Sequence, residues 1–373
     1  MVSQWFYPDD LKDDLQGIAL PPERRAEALA CAWEYNRCVV PQFTNWERYI
    51  ALARLCEIAI VAEVFGDHVD VLSDGPLLGH DVDALLDILF GQGPIREEMA
   101  REYRCCLLMM TEKSTGRRDT PLIRRYIEAL ASSPQAWFRL RDCDGLSRFY
   151  IAAAIACNDE DAWLSEEENQ LLAEIGVVLY DAVAFHKHRA EGEIHNTYAY
   201  AGAEERTYAY STYREVLWAL DTHWSRSAAG RSAVNFVRLV GGPIHQMMRR
   251  YRFVEDDLMV GRPETGDVVS ETRNNVKLWY RLDADPAPAD DKARFEAVMA
   301  QADRVLLPGM AELLERPERD RCPDCRYRDS YGAEAAGKFG GVELCSACRT
   351  RWHDHLHSFP ERASHAYRAP TRS

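Results

Sequence analysis

An all-α fold is predicted by three observations. Apolar residues recur at helical spacing through most of the chain up to Pro308. Residues that start and stop helices sit at the ends of those stretches. Alternating strand patterns are almost absent before residue 320. The chain has 373 residues, 47% of them hydrophobic. That is enough for one large helical domain, residues 1–315, and a small C-terminal segment, residues 316–373.

The helices follow in order. Pro21-Pro22-Glu23 opens the first, which runs through Val39 to a stop at Pro41. Trp46 to Phe65 is the second, ended by Gly66. Asp81 to Phe90, Pro94 to Met110 and Pro121 to Ala131 are separated by Gly/Pro or Ser/Pro breaks. Asp144 to Ala156 is alanine-rich. Ser165-Glu-Glu-Glu168 reads as a capping box that starts a long helix to about Ala190. Glu204–Trp224, Ala228–Leu239, Pro243–Phe253, Asp267–Leu282 and Asp290–Leu306 complete the set. Gly337 to Leu344 has the glycines and short apolar runs of a small hairpin, and the last dozen residues read as frayed.

Charge and composition exclude several classes. The formal net charge of -15 argues against a nucleic-acid partner. The run Ile50 to Phe65 comes closest to a membrane span, but Arg54, Glu57 and Glu63 interrupt it. The first ten residues have neither a basic start nor an apolar run, so no signal peptide is expected. Of eleven cysteines, seven lie in mostly apolar helical segments and four form two Cys-x-x-Cys pairs. That usage suits a reducing, cytoplasmic compartment with a metal site.

Cys322-Pro-Asp-Cys325 and Cys345-Ser-Ala-Cys348 are separated by nineteen residues. Two knuckles at this spacing place four thiolates around one Zn2+. A closed four-thiolate site leaves no open position for chemistry, so the expected role is a structural staple. His353, His355 and His357 read as a solvated helix end, with a second metal site as the rival reading.

The run Tyr180 to Glu193 begins as an apolar helix and ends in mixed charge. Asp181, Lys187, Arg189, Glu191 and Glu193 lie within about four helical turns. Carboxylates beside cations at the end of a buried helix suit a metal-bound polyanion. Glu63 and Asp67, four apart, would share a helical face if the helix continues that far. Arg249, Arg250 and Arg252 cluster near a helix end, where arginine forks suit phosphate oxygens. Arg139, Arg141 and Arg148, near Asp142 and Asp144, form a weaker group. The literal Asp9-Asp10-x-x-Asp13 is discounted, because acids at that position simply favour a helix N-terminus.

Several segments resemble one family. They are Ala30-Cys-Ala-Trp-Glu-Tyr35, Thr44-Asn-Trp46, Lys187-His-Arg-Ala-Glu-Gly-Glu193, Gly241-Gly-Pro-Ile-His245, Met248-Arg-Arg-Tyr-Arg-Phe-Val-Glu255, Lys277-Leu-Trp279, and the stretch from Ser330-Tyr-Gly-Ala-Glu334 to Gly340-Gly-Val-Glu-Leu-Cys345. Together they resemble the α-ionylideneethane synthases, sesquiterpene cyclases of fungal abscisic acid biosynthesis that lack the usual aspartate-rich motifs. The resemblance runs over nearly the whole chain. It implies an isoprenoid-synthase-like helical bundle that converts farnesyl diphosphate to a cyclic hydrocarbon, α-ionylideneethane. It implies Mg2+-assisted loss of diphosphate, then deprotonation, reprotonation and ring closure. The family's acidic residues map onto Glu27 and Glu63. His186 and His195-Asn196 depart from the pattern beside the key run, which bears on the product.

The residues assigned on this reading are as follows. Glu63, Glu27 and Glu191 are catalytic candidates. Lys187, Arg189, Arg249 and Arg250 hold the diphosphate. Glu63, Asp67 and Asp181 are the Mg2+ ligands, and Cys322, Cys325, Cys345 and Cys348 hold Zn2+. The partner is a small isoprenoid diphosphate, with no nucleic acid and no membrane span. A homo-oligomer is compatible with this reading. Two rivals stay open: a zinc-ribbon interaction or regulatory protein, and a prenyl diphosphate-using transferase.

Overall fold

A computed structural model describes residues 7–114, 120–190, 193–244, 291–316, 321–328 and 340–367. It is mostly helical, as predicted. The first twelve helices are α1 (Pro22–Val39), α2 (Trp46–Val64), α3 (Val82–Phe90), α4 (Pro94–Ser114), α5 (Pro121–Ser132), α6 (Pro134–Asp144), α7 (Ser147–Ala156), α8 (Glu166–Val183), α9 (Phe185–Ala190), α10 (Tyr198–Ala201), α11 (Ala203–Trp224) and α12 (Ala228–Val240). Three more, Asp291–Ala300, Ala302–Val305 and Met310–Glu315, precede the cysteine-bearing segment.

Local chemistry sets most helix starts. Asn45, Asp81, Thr120, Ser133 and Ser227 each accept a backbone N–H from the first turn of the following helix. The expected capping box at Ser165 is present: Ser165 Oγ accepts from Glu168 N–H, and Glu168 Oε2 accepts from Ser165 N–H at 2.8 Å.

Two helices form the frame. α2 packs against α1, α3 and α4, and α8 packs against α6, α7, α11 and α12. α12 also touches α1 and α7, which closes the bundle around the space between α2 and α8. On α2 the run from Tyr49 to Ala53 and that from Leu55 to Ala62 are buried. Burial of such apolar surface, at roughly 25 cal/mol per Å², is what holds helices of modest propensity in place.

Several boundaries differ from expectation. Asp144 ends α6 and does not begin a helix. Ser133 caps α6, Pro134 occupies its first turn, and Leu146 then takes a left-handed φ of 52° before α7 starts. The long helix from Glu166 breaks at Ala184, where the carbonyl of Asp181 accepts from Asn196 Nδ2 at 2.9 Å. α2 stops at Val64, so the condition for pairing Glu63 with Asp67 is not met. The expected helices after Pro243 and after Asp267 lie outside the described residues.

The C-terminal segment packs onto the bundle. β1 (Arg326–Tyr327) pairs antiparallel with β2 (Val342–Glu343). The helix Ser346–His357 then lies against α6, α10 and α11, and Phe359–Ala366 against α8 and α11. Trp352 Nε1 donates to the Leu130 carbonyl at 3.4 Å. Tyr213 and Phe359 stack with ring centroids 4.0 Å apart. The frayed end expected from residue 362 onward is instead helical to Ala366, with Ala363 buried. No helix among the described residues is long and apolar enough to cross a membrane.

Candidate active site

The ends of α2 and α4 meet at close range. A Cβ on Gly66 would collide with Ser114 Oγ, and that hydroxyl donates to the Ala62 carbonyl at 2.7 Å. This contact holds Glu63 in the last turn of α2 beside Lys113 in the last turn of α4. Both side chains line a cavity of about 110 Å³. Its opposite wall comes from α7, α8 and α12 through Tyr150, Val177, Tyr180 and Val240. Tyr35 on α1 packs edge-on against Tyr150 with centroids 5.0 Å apart.

The lining therefore mixes two kinds of side chain. Tyr35, Ile60, Met110, Leu146, Tyr150 and Val177 are aromatic or aliphatic. Glu63, Lys113, Arg141, Asp144, His188, Glu193 and His195 are charged or polar. Lys113 Nζ lies 2.6 Å from Asp144 Oδ1. Arg141 bridges Asp144 and Asp181 by ion pairs to both. Burial pushes the Asp144 carboxyl upward, but Lys113 and Arg141 outweigh it and hold the group below the usual carboxylate range.

His195 is buried against Tyr126, ring centroids 4.7 Å apart. Its Nδ1 stands 3.4 Å from Glu193 Oε1 and 3.9 Å from Asp144 Oδ2. Neither ring nitrogen makes a hydrogen bond among the described residues. Burial pushes the imidazole down to about 4, against the pull of Glu193 and Asp144. The ring is neutral near pH 7 and has a nitrogen able to accept a proton.

The expected site residues are distributed unevenly. Glu63 lines the cavity. Asp67 does not: it is exposed in a short 3-10 turn, Gly66–His68. Asp181 is fully buried, and its carboxylate accepts from Arg141, from Thr197 N–H at 2.9 Å and from Thr197 Oγ1 at 2.7 Å. With those oxygens occupied, Asp181 orients Arg141 and the turn before α10. Glu27 sits on α1 outside the cavity lining, paired with Arg24 at 2.8 Å. Lys187 is buried on α9 and Arg189 half-buried, and neither lines the cavity. Glu191, Arg249 and Arg250 lie outside the described residues. Asp9, Asp10 and Asp13 are exposed at the surface.

Lys113 was missed by sequence reasoning. Its signal was present, since Glu112-Lys113 follows the apolar run Leu107-Leu-Met-Met110 just as Glu63 follows an apolar run. Among the described residues no three acidic or histidine ligands converge inside the cavity. Mg2+ does not require that, because it usually takes one or two carboxylates and fills its other positions with phosphate oxygens and water. The carboxylates in the lining are Glu63, Asp144 and Glu193, and Asp144 is paired with Lys113 and Arg141.

The second site is the cysteine quartet. The sulfurs of Cys322, Cys325, Cys345 and Cys348 all lie within 4.8 Å of one another. Cys322 Sγ and Cys345 Sγ are 3.9 Å apart, near the ~3.8 Å expected for two thiolates at about 2.3 Å from a tetrahedral ion. Cys345 caps the helix Ser346–His357, accepting from Cys348 N–H at 3.5 Å. That N–H and the neighbouring thiols lower its thiol to about 7, favouring the ligand form. The quartet can hold one metal ion. The three nearby histidines do not share a solvated face. His355 is buried on Glu174, while His353 and His357 both meet Glu205.

Comparison with known proteins bears directly on this architecture. The profile described as α-ionylideneethane synthase aba3 matches residues 3–369. The chain belongs to the α-ionylideneethane synthase family. It is 52% identical over 364 residues to α-ionylideneethane synthase aba3 of Botryotinia fuckeliana, covering 97% of this chain and 83% of the relative. It is 50% identical over 366 residues to α-ionylideneethane synthase abl3 of Leptosphaeria maculans, covering 98% and 85%. To abl3 of Pyricularia oryzae it is 44% identical over 426 aligned positions, covering 97% and 82%.

Proposed function

We propose that this protein is a sesquiterpene cyclase that converts farnesyl diphosphate to α-ionylideneethane, within abscisic acid biosynthesis. The observation that carries the reading is a cavity lined by aromatic and aliphatic side chains together with a cluster of charged ones. Membership of the α-ionylideneethane synthase family supports a sesquiterpenoid substrate, which the charges alone do not point to.

At about 110 Å³ the cavity is smaller than the ~300 Å³ or more that drug-sized ligands occupy. Entry of a fifteen-carbon chain therefore requires wall side chains to move aside. Met110 and Tyr180, lining residues that are only half-buried, are suited to this. When bound, Mg2+ supplies charge neutralisation for the diphosphate leaving group. Glu63, with Glu193, is the carboxylate pair proposed to hold it. Lys113 faces the same space and is proposed to contact the diphosphate.

The carbon–oxygen bond breaks and its electron pair leaves with diphosphate. The ring faces of Tyr35 and Tyr150 stabilise the positive charge left on the hydrocarbon. The apolar wall keeps water away from it. His195, neutral and unengaged, accepts a proton from the cation and returns it before ring closure. The net reaction releases diphosphate and one proton. The cysteine quartet is proposed to hold Zn2+ as a structural staple on the C-terminal segment.

Purified protein incubated with farnesyl diphosphate and Mg2+ tests the reading. A cyclic sesquiterpene by gas chromatography–mass spectrometry is the expected result. Folded protein that forms no hydrocarbon would overturn it.

A further inference from the structure

A second acidic residue of α2 lies in an unusual position. Glu57 follows the cavity residue Cys56 by one place, so about 100° of helical rotation turns it to another face. Its side chain is completely buried. Neither carboxylate oxygen makes a hydrogen bond among the described residues. Facing it is His80, whose Nε2 also lacks a hydrogen bond. Glu57 Oε2 and His80 Nε2 are 3.9 Å apart, too long for a hydrogen bond. Asp14 completes the group, and one ligand atom from each residue lies within 4.8 Å of the others.

Each partner is held from outside the group. Arg54 Nε donates to Asp14 Oδ2 at 2.8 Å, and Arg54 Nη2 donates to the Asp10 carbonyl at 3.0 Å. His80 ends a tight hairpin. Leu77 and His80 exchange both backbone hydrogen bonds at 2.9 Å, and Leu78 and Gly79 take positive φ of 52° and 85°. Burial lowers the His80 imidazole, so the ring is neutral and able to act as a ligand. The three residues thus come from three separate chain segments, with Asp14 held to α2 by Arg54 and His80 held by its own hairpin. The surface trio Glu205, His353 and His357 differs. There each carboxylate oxygen already meets a histidine, at 2.7 and 3.1 Å.

A buried carboxyl without a partner is costly, and an ion at the centre of the group would engage the orphaned Glu57 and His80 atoms together with Asp14. We propose that Asp14, Glu57 and His80 bind a divalent first-row transition ion, Zn2+ or Mn2+. Two carboxylates and one imidazole suit such an ion better than Ca2+ or Mg2+, which favour all-oxygen shells. Two ligands at about 2.0–2.2 Å from a shared ion can stand as far apart as Glu57 and His80 do. The ion ties the N-terminal turn and the 77–80 hairpin to α2, whose neighbouring face lines the cavity.

Mn2+ is the probe, because the thiolate quartet favours softer ions. Substrate is left out, so that no diphosphate recruits metal to the cavity. Electron paramagnetic resonance is expected to show one equivalent of Mn2+ bound to the intact protein. The Glu63→Gln variant should bind it equally well. Asp14→Asn and His80→Ala should weaken binding by about tenfold or more. Mn2+ should also raise the melting temperature of the parent and of Glu63→Gln but not of the other two. Equal Mn2+ affinity and equal thermal shift in all four proteins would overturn the proposal. So would the absence of any Mn2+ or quartet-independent Zn2+ uptake at millimolar metal. Asp14 and His80 lie on surface turns, so their replacement keeps the test available if Glu57→Gln does not fold.

Discussion

Replacing Glu174 by Gln tests how strongly the C-terminal helices are held to α8. Glu174 is buried on α8, one turn before the cavity residue Val177. Its carboxylate accepts from Tyr213 Oη at 2.7 Å and from Arg362 Nη2 and Nη1 at 2.8 and 3.1 Å, and it lies 3.0 Å from His355 Nε2. Burial pushes the carboxyl up, but His355 and Arg362 outweigh it and bring it down to about 2. A free glutamate titrates near 4.3. The folded value is the lower one, so the stabilisation is present above pH ~4.3 and is lost as pH falls toward 2. A shift of about 2.3 units corresponds to about 3 kcal/mol. Glu174→Gln is therefore expected to cost about 3 kcal/mol at pH 7, in line with the loss of one partner from a buried ion pair. At pH 3 roughly half of the parent's advantage remains, so the gap shrinks to about 1.5 kcal/mol. Urea denaturation of both proteins at pH 7 and pH 3 measures it. A cost below about 1 kcal/mol at pH 7, or one unchanged at pH 3, would refute the reasoning.

Other expected outcomes concern the cavity and the quartet. Glu63→Gln should lower diphosphate release by about 100-fold while circular dichroism and melting stay unchanged; release within a few-fold of the parent would remove Glu63 from the site. His195→Phe keeps the ring volume but not the proton acceptor. It should release diphosphate within a few-fold of the parent rate yet give a different hydrocarbon mixture, and an unchanged product would exclude the proposed proton transfer. Cys345→Ser removes one thiolate and the cap of the following helix. It should lower zinc content measured by mass spectrometry and cost about 2 kcal/mol or more, whereas full zinc content and parent stability would contradict a four-thiolate site.

The helical bundle was legible because it rests on local signals. Proline at first turns, Ser, Thr and Asp caps and the Ser165–Glu168 box act over three or four residues, and the helices start where these stand. The site was legible only in part. Glu63 could be read as an acid at the end of an apolar run, but Lys113 stood on the same signal and was passed over. Asp181 looked like a ligand because its partners Arg141 and Thr197 are remote in sequence, and they occupy its carboxylate. Glu174 had no partner that sequence could name, since Tyr213, His355 and Arg362 reach it from three other elements. Asp67 failed for a local reason: α2 ends at Val64, and a helical-face argument has no force beyond the helix.

The space between α2 and α8 is the proposed cyclisation chamber. A crystal structure with Mg2+ and a non-reactive farnesyl diphosphate analogue tests it most directly. The expected density has the hydrocarbon against Tyr35, Tyr150 and Val177 and the diphosphate at Glu63 and Lys113. An analogue bound elsewhere, with Glu63 and Lys113 untouched, would contradict it.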